Sequence, residues 1–169
     1  MKWIYKGETF EPEDNHNLYG FIYKLYYELN DAVYGDTVYT YIGKKQFKSY
    51  VELDALKNGS KRDGHIKFQG RNKNGKRIQR ELIAKDSNWR AYTGSCKDVR
   101  IEDMILVEKE IIHMIPFEDK CKQSLSYWEE YYLHTEEVLF DEYNLNANIS
   151  GRYFKDNLIK GIKWEKVTQ

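Results

Sequence analysis

The run Leu18–Leu29 reads LYGFIYKLYYEL and constrains the fold more than any other stretch. Aromatic and branched side chains at this density favour extended backbone, because they pack well on a pleated surface and lose rotamer freedom in a helix. Asn30, Asp31, Gly35 and Asp36 follow, all turn formers. Val38–Ile42 is a second extended run, ending at Gly43. Two such runs joined by turn residues predict an antiparallel hairpin with a rather long connection. Tyr26, Tyr27, Tyr34 and Tyr39 are expected to brace it through cross-strand pairs.

The remaining segments arrange themselves around that hairpin. Residues 1–17 are polar, with Pro12 and an acidic cluster, and read as an irregular lead-in. Residues 44–88 carry little periodicity and two turn signals, Lys57–Ser60 and Arg71–Lys76; a short helix over Tyr50–Leu56 is the one regular element expected there. Val107–Ile115 is apolar enough for a third strand, which Pro116 ends because proline offers the sheet no amide donor. Asp119 to about Leu139 is the clearest helix, with Leu125, Trp128 and Tyr132 at i, i+3 and i+7 on one stripe. Asn144–Gly151 reads as a loop, and residues 155–169 as a short tail. The expected fold class is α+β: one domain over residues 1–169, a small three-stranded antiparallel sheet flanked by helices, with residues 44–88 as a basic insertion.

Composition limits the function classes. No apolar run approaches the ~20 residues of a membrane helix, and Met1–Lys6 lacks the apolar stretch of a signal peptide. A cytoplasmic protein with no membrane partner is expected. Cys96 and Cys121 form no CxxC and no Cys/His cluster, so they read as reduced thiols outside any zinc site. The formal net charge is zero, but it is unevenly spread. Lys57–Arg90 holds 11 basic and 3 acidic residues, whereas Ala91–Tyr143 holds 5 basic and 13 acidic. A basic surface of this kind can neutralise phosphates and release counterions, the main sequence-independent source of DNA affinity. A solvated, scattered charge pattern is the competing account.

Glu129 is the residue on the long helix with chemical interest. It lies four residues after Leu125 and three before Tyr132, on the apolar face. A carboxylate there is costly unless a cation or polar group meets it. A divalent ion would meet it, and so would an internal Lys or Arg.

Gly20-Phe21-Ile22-Tyr23 and Tyr41-Ile42-Gly43 together resemble the two halves of the signature that names the GIY-YIG nucleases. Phe21 stands where the first half has its glycine. Further features follow in the family's order: Ile115-Pro116 between strand and helix, Ser126-Tyr127-Trp128-Glu129 on the helix, and the loop Tyr143-Asn144-Leu145-Asn146-Ala147-Asn148. Tyr41-Ile42-Gly43-Lys44-Lys45-Gln46-Phe47 and Trp89-x-x-Tyr92-x-Gly94-Ser95 are similar to small phage-encoded, homing-type members. The resemblance spans about residues 18–154.

The resemblance implies a metal-dependent endonuclease acting on double-stranded DNA. Tyr23 would activate water or relay its proton, and Tyr41 would hold Tyr23 or a phosphate oxygen. Glu129 would bind Mg²⁺ (or Mn²⁺). Arg90, with Lys45 second, would take the place of the family's arginine. Asn146 would bind substrate or support the site, with Asn144 and Asn148 as rivals. Lys44, Lys45, Lys61, Arg62, Arg71, Lys76 and Arg77 are the expected DNA-binding residues. Two readings compete with an active enzyme: a binding or anti-defence protein that has kept the fold and lost cleavage, and an acidic interaction domain. Oligomeric state stays open, since cutting two strands needs a homodimer or two sequential events.

Overall fold

The computed structural model describes residues 1–11, 17–31, 35–52, 66–71, 74, 77–96, 98–117, 121–150 and 153–154. The expected hairpin is its spine. Strand β3 (Leu18–Asp31) pairs antiparallel with β4 (Gly35–Gln46), and Tyr27 faces Tyr39 across the pair. Strand β8 (Ile105–Pro116) pairs antiparallel with the other side of β3. These three are the strands read from the sequence, each longer than its apolar run.

The sheet nonetheless has five strands, not three, and it is mixed. Trp3–Tyr5 (β1) and Glu8–Phe10 (β2) form a tight hairpin, and β1 adds parallel to β8, giving the order β2-β1-β8-β3-β4. The start of the lead-in, Trp3–Phe10, is therefore regular structure rather than irregular chain. Its two-residue turn, Lys6-Gly7, has φ of 52° and 82°. Positive φ at both central positions matches the twist of the flanking strands, and Lys at the first of them gave no turn signal in the sequence.

Residues 44–88 are corrected as well. Strands β5 (Lys48–Glu52), β6 (Ile66–Arg71) and β7 (Arg77–Asp86) make a second antiparallel sheet, ordered β5-β7-β6. Lys48–Glu52 is strand, so the helix expected at 50–56 does not begin there; residues 53–56 lie outside the described residues. So do Lys61, Arg62, Lys76 and Tyr34. Arg71 and Arg77 are register partners at the far end of β6 and β7.

Among the described residues there is one α-helix, α1 (Cys121–Thr135), rather than several flanking the sheet. It covers one face through Leu125 and Leu133, over Ile22, Ile42 and Ile115, with Trp128 and Tyr132 half-buried beside them. Among the described residues no α-helix covers the opposite face. Trp3, Phe21, Tyr23, Phe47 and Trp89 pack there ring against ring, with centroids 4.9 Å apart for Phe21–Phe47 and 5.1 Å for Phe47–Trp89. Edge and tilted contacts of this kind add to area burial. No helix among the described residues is long and apolar enough to cross a membrane.

Burying this many phenols has a consequence for stability. Burial pushes Tyr27 and Tyr50 up to about 12, and raises Tyr19, Tyr23, Tyr26 and Tyr41 as well. A folded pKa above the unfolded one means that the unfolded chain binds fewer protons above pH ~10, so stability is full below that pH and lost above it. Each such tyrosine costs up to about 1.4 kcal/mol per pH unit in that window. Urea midpoints are expected to hold steady from pH 7 to 9 and to fall steeply between pH 10 and 11.5. A midpoint unchanged at pH 11 would contradict the burial.

Candidate active site at the edge of the sheet

Tyr23 and Gly43 are direct partners across β3 and β4. A Cβ on Gly43 would lie 2.6 Å from Cζ of Tyr23 and closer still to its hydroxyl oxygen. The phenol therefore lies over the glycine, which explains why the tripeptide Tyr41-Ile42-Gly43 ends as it does. Gly20 has a parallel reason: a Cβ there would meet the Lys45 carbonyl oxygen at 2.6 Å and Leu125 at 3.3 Å. Phe21, in the place of the signature's glycine, is fully buried against Trp3 and Phe47. In this chain the small residue has moved one position, to where α1 presses on the sheet.

Tyr41 shares the face of Tyr23, with ring centroids 6.3 Å apart, and its hydroxyl lies 3.3 Å from Ser95 Oγ. Tyr23 is 1% exposed and shares a hydrogen bond with Tyr92. Lys45 stands over the Tyr92 ring at 4.1 Å and donates to Asn88 Oδ1 at 2.6 Å. From the other face of β4, Lys44 Nζ reaches Glu129 at 2.7 Å and Ser126 Oγ at 3.0 Å. Glu129, with 21% of its side chain exposed, is thus met by an internal lysine, one of the two partners its position on the apolar face required.

Strand β4 is the outer strand of the sheet, and its free edge is closed by the 143–146 segment. Thr40 N–H donates to the Tyr143 carbonyl at 2.9 Å, and Leu145 N–H donates to the Thr40 carbonyl at 2.8 Å. Asn146 continues the seam with its side chain. Its Oδ1 accepts from Ile42 N–H at 2.9 Å, and its Nδ2 donates to the Ile42 carbonyl at 2.8 Å. Asn144 Oδ1 accepts from Asn146 N–H at 2.8 Å, and its Nδ2 donates to Thr40 Oγ1 at 3.1 Å. The three alternating asparagines are thereby distinguished. Asn144 and Asn146 are buried seam residues, whereas Asn148 is exposed.

A cleft of about 510 Å³ opens around this edge, walled by Tyr41, Ser95, Asp98, Glu129, Asn146 and Asn148. Of the residues expected at the site, Tyr41, Glu129 and Asn146 meet there. Tyr23 lies one layer beneath. Arg90 does not line this cleft; its guanidinium lies over the Trp89 ring at 4.6 Å, beside a separate cavity. Ser95, Asp98 and Tyr92 were not assigned from the sequence. Ser95 and Tyr92 stood in the Trp89-x-x-Tyr92-x-Gly94-Ser95 pattern, but nothing in the sequence marked Asp98.

Burial raises the pKa of both Tyr23 and Tyr41, and the charge of Glu129 adds to the effect. Both phenols therefore hold their protons more tightly than a free tyrosine does. Glu129 and Asp98 on one open cleft suit a hard cation that keeps several waters and takes one or two carboxylates. Among the described residues there is no cluster of three or more His, Cys, Asp or Glu placed to hold a metal ion.

Comparison with known proteins adds an independent finding. Residues 3–158 match the family model described as "Putative endonuclease segE, GIY-YIG domain". No curated protein and no solved structure matches the chain. The match covers most of the sequence, including the β3–β4 signature, α1 and the asparagine seam. The chain belongs to the segE-type GIY-YIG domain family.

Proposed function

We propose that this protein is a divalent-metal-dependent endonuclease that hydrolyses phosphodiester bonds of double-stranded DNA. The observation that carries the reading is the convergence of Tyr41, Glu129 and Asn146 on one cleft, from three separate parts of the chain. Membership of an endonuclease-described family supports it. The similarity of its Tyr41–Phe47 run to phage-encoded, homing-type members extends the proposal to a phage or mobile-element origin.

Phosphodiester hydrolysis needs a positioned water, charge neutralisation at phosphorus and help for the departing oxygen. Glu129 would hold Mg²⁺ or Mn²⁺, with Asp98 within the same cleft, and the chemistry so supplied would be Lewis-acid stabilisation of the departing 3′ oxygen. Tyr41 donates its hydroxyl hydrogen bond to a phosphate oxygen or to the attacking water. Tyr23 and Tyr92 hold the ring layer on which Tyr41 rests. Lys44 and Lys45 bring positive charge to either side of β4. Asn146 fixes the strand from which Tyr41 projects.

Supercoiled plasmid incubated with Mg²⁺ or Mn²⁺ tests the reading. Nicking or linearisation is expected, abolished by EDTA and reduced roughly 10²-fold or more by Glu129→Gln, in the range seen when a charge-stabilising group is removed. Cleavage that proceeds equally in Glu129→Gln would overturn the assignment of the ligand. A second reading, a DNA- or protein-binding regulator without cleavage, is favoured by one observation: Lys44 Nζ lies 2.7 Å from Glu129 and balances its charge. Absence of cleavage on every duplex tried, with binding retained, would select it.

A further inference from the structure

The β6–β7 pair runs on beyond the three-stranded part of its sheet. Strand β5 meets β7 over Leu82–Asp86, whereas β6 meets it over Arg77–Leu82. Among the described residues, Lys67–Arg71 and Arg77–Glu81 therefore form a two-stranded antiparallel ribbon, about 17 Å long at ~3.4 Å per residue. Directly paired positions, and those two residues along, share one face. One face of the ribbon takes the pairs Lys67–Glu81, Gln69–Gln79 and Arg71–Arg77. The other takes Ile66–Leu82, Phe68–Arg80 and Gly70–Ile78. Tyr50, the partner of Ala84, belongs with this second face; it stacks on Tyr19 and packs against Phe117, at the main sheet. At its root the second face is thus the one turned toward the body, and the all-polar face is its opposite.

We propose that the β6–β7 ribbon enters the major groove of duplex DNA and that the pairs Gln69–Gln79 and Arg71–Arg77 read base edges there, a role that rests on the DNA reading above. The register sets like against like. Arginine directly opposite arginine destabilises a bare sheet, and acceptors lying over the pair offset that cost. Glutamine opposite glutamine adds no charge and so nothing to counterion release; its chemistry is that of paired donors and acceptors. Arginine takes guanine O6 and N7 with two hydrogen bonds, and glutamine takes adenine N6 and N7 in the same way. A groove ~12 Å wide admits a two-stranded ribbon. The two pairs stand two residues apart, about 6.8 Å, or about two base-pair rises of ~3.4 Å. The preferred duplex therefore carries a guanine and an adenine about two base pairs apart.

Strand β7 leads straight back toward the cleft. Ser87 and Asn88 follow it, and Asn88 Oδ1 accepts from Lys45, which lies on the strand that carries Tyr41. A ribbon seated on particular base pairs would therefore favour one stretch of duplex at the cleft over others, and Gln69, Arg71, Arg77 and Gln79 are the specificity-determining residues.

The test uses the full chain in EDTA, so that binding is read without cleavage. Duplexes bound from a randomised library are sequenced for the parent, for Arg71→Ala with Arg77→Ala, and for Gln69→Ala with Gln79→Ala. The parent is expected to select G·C and A·T positions about two base pairs apart. The arginine variant should lose the first preference and keep the second, and the glutamine variant the reverse. Replacing the selected guanine by 7-deazaguanine removes N7 and leaves every phosphate in place; it is expected to weaken the parent about tenfold and the arginine variant hardly at all. Loss of both preferences in either variant would overturn the pair-by-pair assignment. A drop that is equal across all sequences, with a shallower salt dependence, would make the ribbon a phosphate contact only and also overturn it. If the parent binds duplex without any sequence preference, the ribbon proposal falls and the DNA reading stands. If no duplex binds, both fall.

Discussion

Gly43→Ala is expected to fold and to cleave DNA about 10²-fold more slowly than the parent. The added methyl would lie 2.6 Å from Tyr23 Cζ, and Tyr23 is fully buried between β3 and the Trp3–Trp89 layer. The ring has nowhere to retreat without moving Tyr41 and Tyr92, which pack against it at 6.3 Å and 5.9 Å. Overpacking of this size costs ~1–3 kcal/mol of stability. A displacement of about 1 Å at a catalytic hydroxyl costs about 10²-fold in rate. The informative measurement is a double-mutant cycle with Tyr23→Ala, which opens the space. The two changes together should cost at least ~1 kcal/mol less than their sum in urea denaturation. Strict additivity would show that the phenol does not rest on the glycine in solution.

Asn146→Asp is expected to be worse than Asn146→Ala, although it is the smaller change. The alanine variant leaves the Ile42 N–H and carbonyl without partners, at a cost of ~1–3 kcal/mol for each buried group. The aspartate variant keeps the acceptor but sets a carboxylate oxygen against the Ile42 carbonyl, where an amide donor stood. Repulsion inside a buried seam adds to the lost bond. Melting should rank parent above Asn146→Ala above Asn146→Asp at pH 7, and the gap for Asp should narrow at pH 4 as its carboxyl gains a proton. Loss of cleavage without any loss of stability in both variants would instead make Asn146 a substrate contact.

The β3–β4 hairpin was legible because its chemistry is local: aromatic and branched residues on both strands, turn formers between. Glu129 was legible because helical spacing places it on the face of Leu125 and Tyr132, and the structure brings it to the cleft. Which asparagine closes the seam was not legible, since the partner of Asn146 is Ile42, 104 residues away. Where Arg90 sits was hidden for a similar reason. Its position in the chain is five residues from Ser95, yet the turn at Trp89–Tyr92 carries it to the other cavity. The first hairpin went unseen because Lys6 takes a backbone conformation that favours glycine.

The junction between the two sheets is short and buried. Only Phe47 separates β4 from β5, and it is completely buried. Its N–H donates to the Tyr19 carbonyl at 3.1 Å, its carbonyl accepts from Ser87 N–H at 2.9 Å, and Ser87 Oγ donates to the Gln46 carbonyl at 2.6 Å. The small sheet is therefore not slung on a linker; it is cantilevered from the large one. Strand β7, ten residues long, extends roughly 33 Å at ~3.3 Å per residue, close to one turn of B-form DNA at ~34 Å. A clamped beam of that length transmits torque where a tether would let it dissipate. Anything that met β7 would reach Tyr41 through one buried residue and three hydrogen bonds, as a calliper joins its two jaws.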